Sequence, residues 1–273
     1  MIVNIVGASC KRTDALNQKN YESILQKLEA GEIFFGRGKN QETSLARPGG
    51  TRWGSHYITL IHLKNMWNSI LWDLELLMTD AFILEQRGTA CGLMKKMEDF
   101  EFVFLLHLML KVLGITNDLS NALQQHDQNI INAMNLLDAS KSLLQALRED
   151  GWVDLLVGIT TFCERINVPV IDMEDHLPIR GRSRRGGQPV TYYHYYHNEI
   201  FLAVIDMLLV EMNNRFSETS TTLLRCISCL DSMNCFARFN HVSLICMAEM
   251  YSDDFSFPDL HILKDQLHKY IIM

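Results

Sequence analysis

Proline is scarce in this sequence, with five residues in 273, and glycine stands at only fifteen. Few chain breakers leave room for long helices, and scarce β-branched runs beside abundant Leu and 14 Met favour helix over sheet. Long apolar runs are missing too. The greasiest stretch, Phe100 to Leu113, is interrupted by Glu101, His107 and Lys111 and falls short of the roughly 20 residues a bilayer span needs. It reads as a buried core helix, and no membrane is expected as a partner. Met1 to Cys10 is apolar but short, without a basic start or a small-residue exit, and makes a poor signal peptide.

Catalytic signatures are absent as well. There is no G-x-x-x-x-G-K-[ST], no G-x-G-x-x-G after a strand, no G-x-S-x-G and no H-E-x-x-H. Carboxylates are spread along helical patterns in the manner of solvated faces. No catalytic residue, cofactor, metal or small-molecule substrate is expected, and the chain is not expected to be an enzyme on its own. The net charge of −7 argues against a surface that binds nucleic acid everywhere, while leaving local basic patches open.

What is present is a globular composition, 48% hydrophobic and 21% charged, in a length that suits one large domain or two small ones. Seven cysteines, an odd number, lie mostly within apolar helical patterns, as expected of reduced thiols in a cytosolic or nuclear compartment.

The spacing predicts an all-α chain of roughly eight to ten helices. Asp14 to Ala30 reads as a surface helix closed by Gly31. From Ser55 to Thr79, Leu60, Leu63, Trp67, Ile70, Leu71, Leu74 and Leu77 share one face. Phe100 to Leu113 stops at Gly114, and a short helix begins near Asn117. Asp127 caps a helix with Ile130, Met134, Leu137, Leu144 and Leu147 on one face. Gly151 separates that helix from Trp152, Leu155, Leu156, Ile159, Cys163 and Ile166. Beyond Asn167 the pattern fails: Val168 to Val190 holds three of the five prolines and the cluster Arg180, Arg182, Arg184 and Arg185. Helix resumes through Phe201, Val204, Ile205, Leu208, Met212 and Phe216, then over Ser220 to Cys229 and His241 to Tyr251. Pro258 suits the first turn of a last helix.

The segment Gly36 to His56, GRGKNQETSLARPGGTRWGSH, stands apart. Its glycines and Pro48 forbid a helix, and loops of about 20 residues are often functional. Arg37, Lys39, Arg47 and Arg52 face a single Glu42, and Trp53 follows.

At this segment a resemblance emerges. GRGKNQETSLARPGGTRWGSHYITL is similar to the middle of plant proteins derived from hAT-type transposases, a family that includes zinc finger MYM-type protein 1-like, TTF-type and general transcription factor 2-related zinc finger proteins. NIVGASCKRTDAL, FEFVFLLHLMLKVLGITNDLSNALQQHDQNIINAMNLL, REDGWVDLL, RGRSRR and YYHNEIFLAVIDMLLVEMNNRFSE agree in the same order. The resemblance implies a fold similar to the helical insertion domain of these transposases, with a remnant of the ribonuclease-H-like core at the start. On that basis 1–31 are remnant helices after the core, and 32–56 form a basic Gly-rich loop. The insertion-like domain then covers 57–167, a flexible basic linker 168–190, and the domain's second part 191–273.

Complete members of the family carry a zinc finger, two catalytic aspartates and, later, a catalytic glutamate. No stretch here matches any of the three acids, and the text is expected to begin after the second aspartate and end before the glutamate. Two-cation phosphoryl transfer needs a cluster of carboxylates. The resemblance thus implies a truncated, transposase-derived protein without chemistry of its own, placed in the nucleus. Thr51-Arg52-Trp53 resembles the family's T-R-W segment, whose tryptophan stacks on a flipped base, so Arg37, Lys39, Arg47, Arg52 and Trp53 are the candidate DNA contacts. Packing of Trp53 on the helical body is the other reading of that residue. A full-length relative, or a second copy of the chain, is an alternative partner. A longer active transposase with its zinc finger, and a helical scaffold that binds only protein, stay open as alternatives.

Three other clusters have plainer readings. Arg180 to Arg185 suits a solvated linker better than a phosphate or nuclear-import patch. Cys226-x-x-Cys229 with Cys235 and His241 lacks a second short-spaced pair for zinc, so core cysteines are expected. Tyr192-Tyr193-His194-Tyr195-Tyr196-His197 reads as an aromatic helix start that packs on its neighbours rather than as a metal site.

Overall fold

The computed structural model describes residues 2–7, 10–31, 45, 49, 53–80, 84–124, 130–178, 189–230 and 239–272, with backbone alone at Lys11, Lys27, Trp53, Asp80, Ile131 and 270–272. The fold is all-α, and among the described residues the only extended pairing is a single bridge between His176 and Thr191. The helices are α1 (Ile2–Val6), α2 (Cys10–Glu29), α3 (Trp53–Asn65), α4 (Trp67–Asp80), α5 (Leu84–Met97), α6 (Phe100–Leu123) and α7 (Ile130–Ile166). A π-helical segment, His194–Leu202, leads into α8 (Ala203–Arg215), followed by α9 (Glu218–Ile227), a 3-10 turn (Ser228–Leu230), α10 (His241–Glu249) and α11 (Phe257–Ile272).

Two compact units result, one of residues 1–117 with 147–203, the other of 118–146 with 204–273. In the first unit α4 is the central element and packs against α1, α2, α3 and α5. Its Trp67, Ile70, Leu74 and Leu77 are buried at the 3–4-residue spacing of one helical face. Rings from distant parts of the chain complete this core. Tyr196 lies 4.7 Å from Phe104 and 5.4 Å from Phe100, and Trp152 lies 5.4 Å from Phe201. Rings four residues apart stack along the π-helical segment and the residue before it, Tyr193 on His197 and His197 on Phe201. In the second unit α10 packs on α9 and α11, Asp138 pairs with Arg225, and Lys141 Nζ donates to the Phe216 carbonyl at 3.3 Å.

Helix ends follow local chemistry. Gly31 adopts φ +71° after α2, as a C-terminal cap requires. Asn167, at φ +57°, closes α7: Val168 N–H donates to the Cys163 carbonyl at 3.0 Å, and both residues are buried. Asn240 caps α10, and at α11 Ser256 N–H donates to the Asp259 carboxylate at 3.0 Å, with Pro258 in the first turn.

Several predicted boundaries give way. α6 continues through Gly114 for 24 residues, absorbing the separate helix expected near Asn117. Its length and composition alone would let it cross a membrane, and its buried Val103, Phe104, Leu108 and Val112 belong to the first unit's core. α7 is likewise unbroken through Gly151 for 37 residues. The stripe from Ser55 to Thr79 divides at Met66 into α3 and α4, and α5 was not anticipated. Trp53 to His56, expected in a loop, form the first turn of α3. Asp127 lies outside the described residues. Val168 to Val190 is tied at its described ends, where Leu177 N–H donates to the Val190 carbonyl and Tyr192 N–H to that of Asp175.

One core group is costly. Asp73 of α4 is fully buried, and neither carboxylate oxygen has a hydrogen-bond partner. Burial raises its pKa to about 6, and attraction from Arg12 offsets this only in part. The folded state therefore binds this proton more tightly than the unfolded state, and the contribution of Asp73 to stability falls as pH rises from about 4 to about 6. Asp73→Asn stabilises the protein by about 2–3 kcal/mol above pH 6 and by little near pH 4, checked by urea unfolding across that range. A pH-independent difference contradicts this account. At Gly158, inside α7, an added Cβ meets nothing within 4 Å. Gly158→Ala therefore stabilises by about 0.5–1 kcal/mol in the same assay. At Gly114 the Cβ comes within 3.3 Å of the Tyr57 hydroxyl, so Gly114→Ala gains less.

Candidate functional site

The basic segment anticipated from the sequence is only partly described. Arg37, Lys39, Arg47 and Arg52 lie outside the described residues, as do Arg180, Arg182, Arg184, Arg185 and Cys235. Within the segment Leu45 is buried, and Ser55 Oγ donates to the Gly49 carbonyl at 3.3 Å. Trp53 is the first residue of α3, so the segment runs into a helix N-terminus, where unpaired backbone N–H groups favour negative charge.

The plainer readings of two clusters hold for their described members. Cys226 and Cys229 are buried in the second unit. Burial raises the Cys226 thiol pKa, and the neighbouring Cys246, to which it is hydrogen-bonded, adds to the shift. Cys229 Sγ donates to the Arg225 carbonyl at 3.6 Å. His241 leads α10 and meets His268 ring to ring. The aromatic hexapeptide packs as expected. Tyr196 is buried among phenylalanines, the Tyr195 hydroxyl donates to Glu101 at 3.2 Å, and His194 Nδ1 engages the Asn198 amide at 2.9 Å. Among the described residues no three His, Cys, Asp or Glu side chains converge as metal ligands.

A different group of residues does converge in the first unit. Phe162 of α7 sits at its centre, buried, with Arg165 one turn further along the same helix. The Arg165 guanidinium lies 4.9 Å from the Phe162 ring centroid, and Lys64 Nζ, from α3, lies 5.4 Å from it. His107 of α6 packs its ring 4.9 Å from the same phenyl, and Trp67 of α4 packs edge-on at 5.4 Å. Lys111 follows His107 by one helical turn and adds a third cation. Lys64 is part-buried; desolvation lowers its pKa first, and repulsion from Arg165 and then Lys111 lowers it further.

His107 is buried and its pKa is pushed down to about 4, chiefly by desolvation, with Lys64 and Arg165 also opposing its charge. The neutral ring donates from Nδ1 to the Val103 carbonyl at 2.9 Å, which leaves Nε2 with no partner. The Trp67 indole N–H is also buried without a partner. Among the described residues no carboxylate pairs with Lys64, Lys111 or Arg165. Sequence reasoning missed this cluster because its cations come from three helices at positions 64, 111 and 165. The available signal was local: His107 and Lys111 share one face of α6, and Phe162 and Arg165 one face of α7.

No protein-family description matches the chain, and no solved structure matches it. Among curated proteins it is similar to the 52 kDa repressor of the inhibitor of the protein kinase from Mus musculus and from Homo sapiens, each 25% identical over 192 residues. The match takes in 66% of this chain but only 24% of either protein, so the chain spans about a quarter of the length of the curated relatives it matches.

Proposed function

We propose that this chain is a helical binding module derived from a hAT-type transposase. It has no strand-cleaving activity of its own, acts in the nucleus, and contacts DNA through Arg37, Lys39, Arg47, Arg52 and Trp53. The similarity to the insertion domain of these transposases and to a remnant of their ribonuclease-H-like core belongs to the same proposal.

The observation that carries the reading is the segment itself. Four cations and one acid precede a tryptophan within a chain of net charge −7, in an order that resembles the family's base-stacking element. Two structural features support it. The segment leads into the N-terminus of α3, a favourable place for phosphate, and Leu45 anchors its middle by burial. Trp53 offers a face for an extruded or single-stranded base, and Arg52 a guanidinium for the adjoining phosphate. The absence of cleavage chemistry rests on the sequence, in which no stretch matches the family's three acids.

A protein partner is the second reading, either a second copy of the chain or a full-length relative. Two observations favour it. The mouse and human proteins similar to this chain are named for repression of an inhibitor of a protein kinase. On α8, Met207 and Val210 are 72% and 58% exposed one turn apart, an apolar face open for association.

A titration of DNA into the protein at several salt concentrations separates the readings. The DNA reading expects log affinity to fall with log salt, and Arg52→Ala with Trp53→Ala to weaken binding by about ten- to a hundredfold, the combined loss of a stacked base and a phosphate contact. If the double variant binds as the wild type does, or the wild type binds no DNA, the segment is not a nucleic-acid contact and the scaffold reading takes its place.

A further inference from the structure

We propose that Lys64, Lys111 and Arg165 form a binding site for a phosphate group on the first unit, separate from the basic segment before α3. Lys64 of α3 and Arg165 of α7 lean on one phenyl ring, Lys111 of α6 is near enough to repel Lys64, and among the described residues no carboxylate pairs with any of the three. The chain carries more acidic than basic residues, 32 against 25, so a group of cations without acids runs against its composition. Attraction to the Phe162 ring offsets part of the repulsion for Lys64 and Arg165, yet both cations lean on the same ring and Lys111 has no such contact.

One further group beside that ring is unsatisfied. The Trp67 indole N–H is a buried donor with no partner, and its ring packs on Phe162. A donor left open on the ring that the cations share is what an anion's oxygens would satisfy.

The chemistry favours phosphate over a carboxylate. A phosphate carries about −1.5 to −2 charges and three or more acceptor oxygens, enough to meet several cations at once. Arg165 supplies a planar fork and the lysines supply mobile ammonium donors, a usual division of labour around a tetrahedral anion. Bound phosphate would offset the repulsion that Arg165 and Lys111 exert on Lys64. The phosphate could belong to a nucleic-acid strand or to a small molecule, since both present the same oxygens.

Thermal unfolding in millimolar sodium phosphate, against sodium chloride at equal ionic strength, tests the site. Phosphate also stabilises proteins generally by exclusion from their surfaces, so the informative comparison is with Lys111→Gln combined with Arg165→Gln. Both side chains are exposed, and far-UV circular dichroism verifies that the double variant keeps its helices. The wild type should gain about 2–4 °C more from phosphate than the variant does. An equal gain in both proteins overturns the proposal.

A second arm identifies the source of the phosphate. If the site holds a strand, the double variant lowers the slope of log DNA affinity against log salt by about one to two units. An unchanged slope beside a lost phosphate increment supports the site and assigns it to a small phosphorylated molecule. Arg52→Ala with Trp53→Ala should leave the phosphate increment intact, so failure of the segment reading is distinguishable from failure of this one.

Discussion

Ring packing holds together parts of the first unit that the chain leaves far apart. Trp152 in α7 meets Phe104 of α6 at 6.0 Å, and it meets Tyr193, just before the π-helical segment, and His197 and Phe201 within it at 4.8–5.8 Å. Aromatic side chains bury large areas and add directional preference, so one tryptophan can fix the positions of several helices. The widened turn from His194 to Leu202 brings Tyr193, His197 and Phe201 into one stack against Trp152, while Tyr196 turns to Phe100 and Phe104. With these contacts made, the far end of α7 is held where Phe162 can gather Trp67, His107, Lys64 and Arg165. The cationic cluster is thus a consequence of the ring core.

The same unit carries two buried titratable groups whose costs oppose each other. Asp73 holds a proton more tightly in the folded state, with a pKa of about 6. His107 resists one, with a pKa of about 4. Between about pH 4 and pH 6.5 the aspartate makes stability fall as pH rises, while the histidine makes it increase. Their slopes have opposite signs over nearly the same interval, so the wild type can show a flat profile although each group is strained. The unpartnered atoms of Asp73 and His107 are buried, where an unsatisfied polar group costs about 1–3 kcal/mol.

Much of this architecture was legible in the residues. Gly31, Pro258 and the failure of the pattern at Asn167 marked true helix ends, because each acts through local backbone chemistry. The glycines at 114 and 151 misled for a related reason. A glycine inside a helix costs only about 1 kcal/mol relative to alanine, and the buried neighbours of α6 and α7, from Val112 to Leu155 and Ile159, outweigh that. α5 went unseen since Gly88 and Gly92 interrupt a short helix that buries little beyond Ala90, Leu93 and Met97. The division at Met66 left no trace because the apolar spacing continues across it. The cationic cluster was illegible for a deeper reason: it depends on tertiary contacts among positions 64, 111 and 165, and no local spacing encodes them.

The geometry of α3 links the two proposed anion contacts. Trp53 opens this helix and Lys64 lies near its other end, eleven residues on. At about 1.5 Å per residue the two stand roughly 16 Å apart along the axis. Each strand of a duplex presents a phosphate about every 3.4 Å of helix axis, so along a duplex that distance corresponds to roughly five nucleotides. A strand following α3 could therefore place a base on Trp53 and a phosphate at Lys64 without sharp bending. Neither contact alone would be strong in a chain of net charge −7, since exposed charges are screened within about a Debye length of 8–10 Å. Joined by one rigid helix, the second contact becomes intramolecular once the first has formed, and combined affinity can exceed either alone by orders of magnitude. A free phosphate gains nothing from this linkage. The separation imposed by α3 is thus what would distinguish a nucleic-acid surface from two independent anion sites.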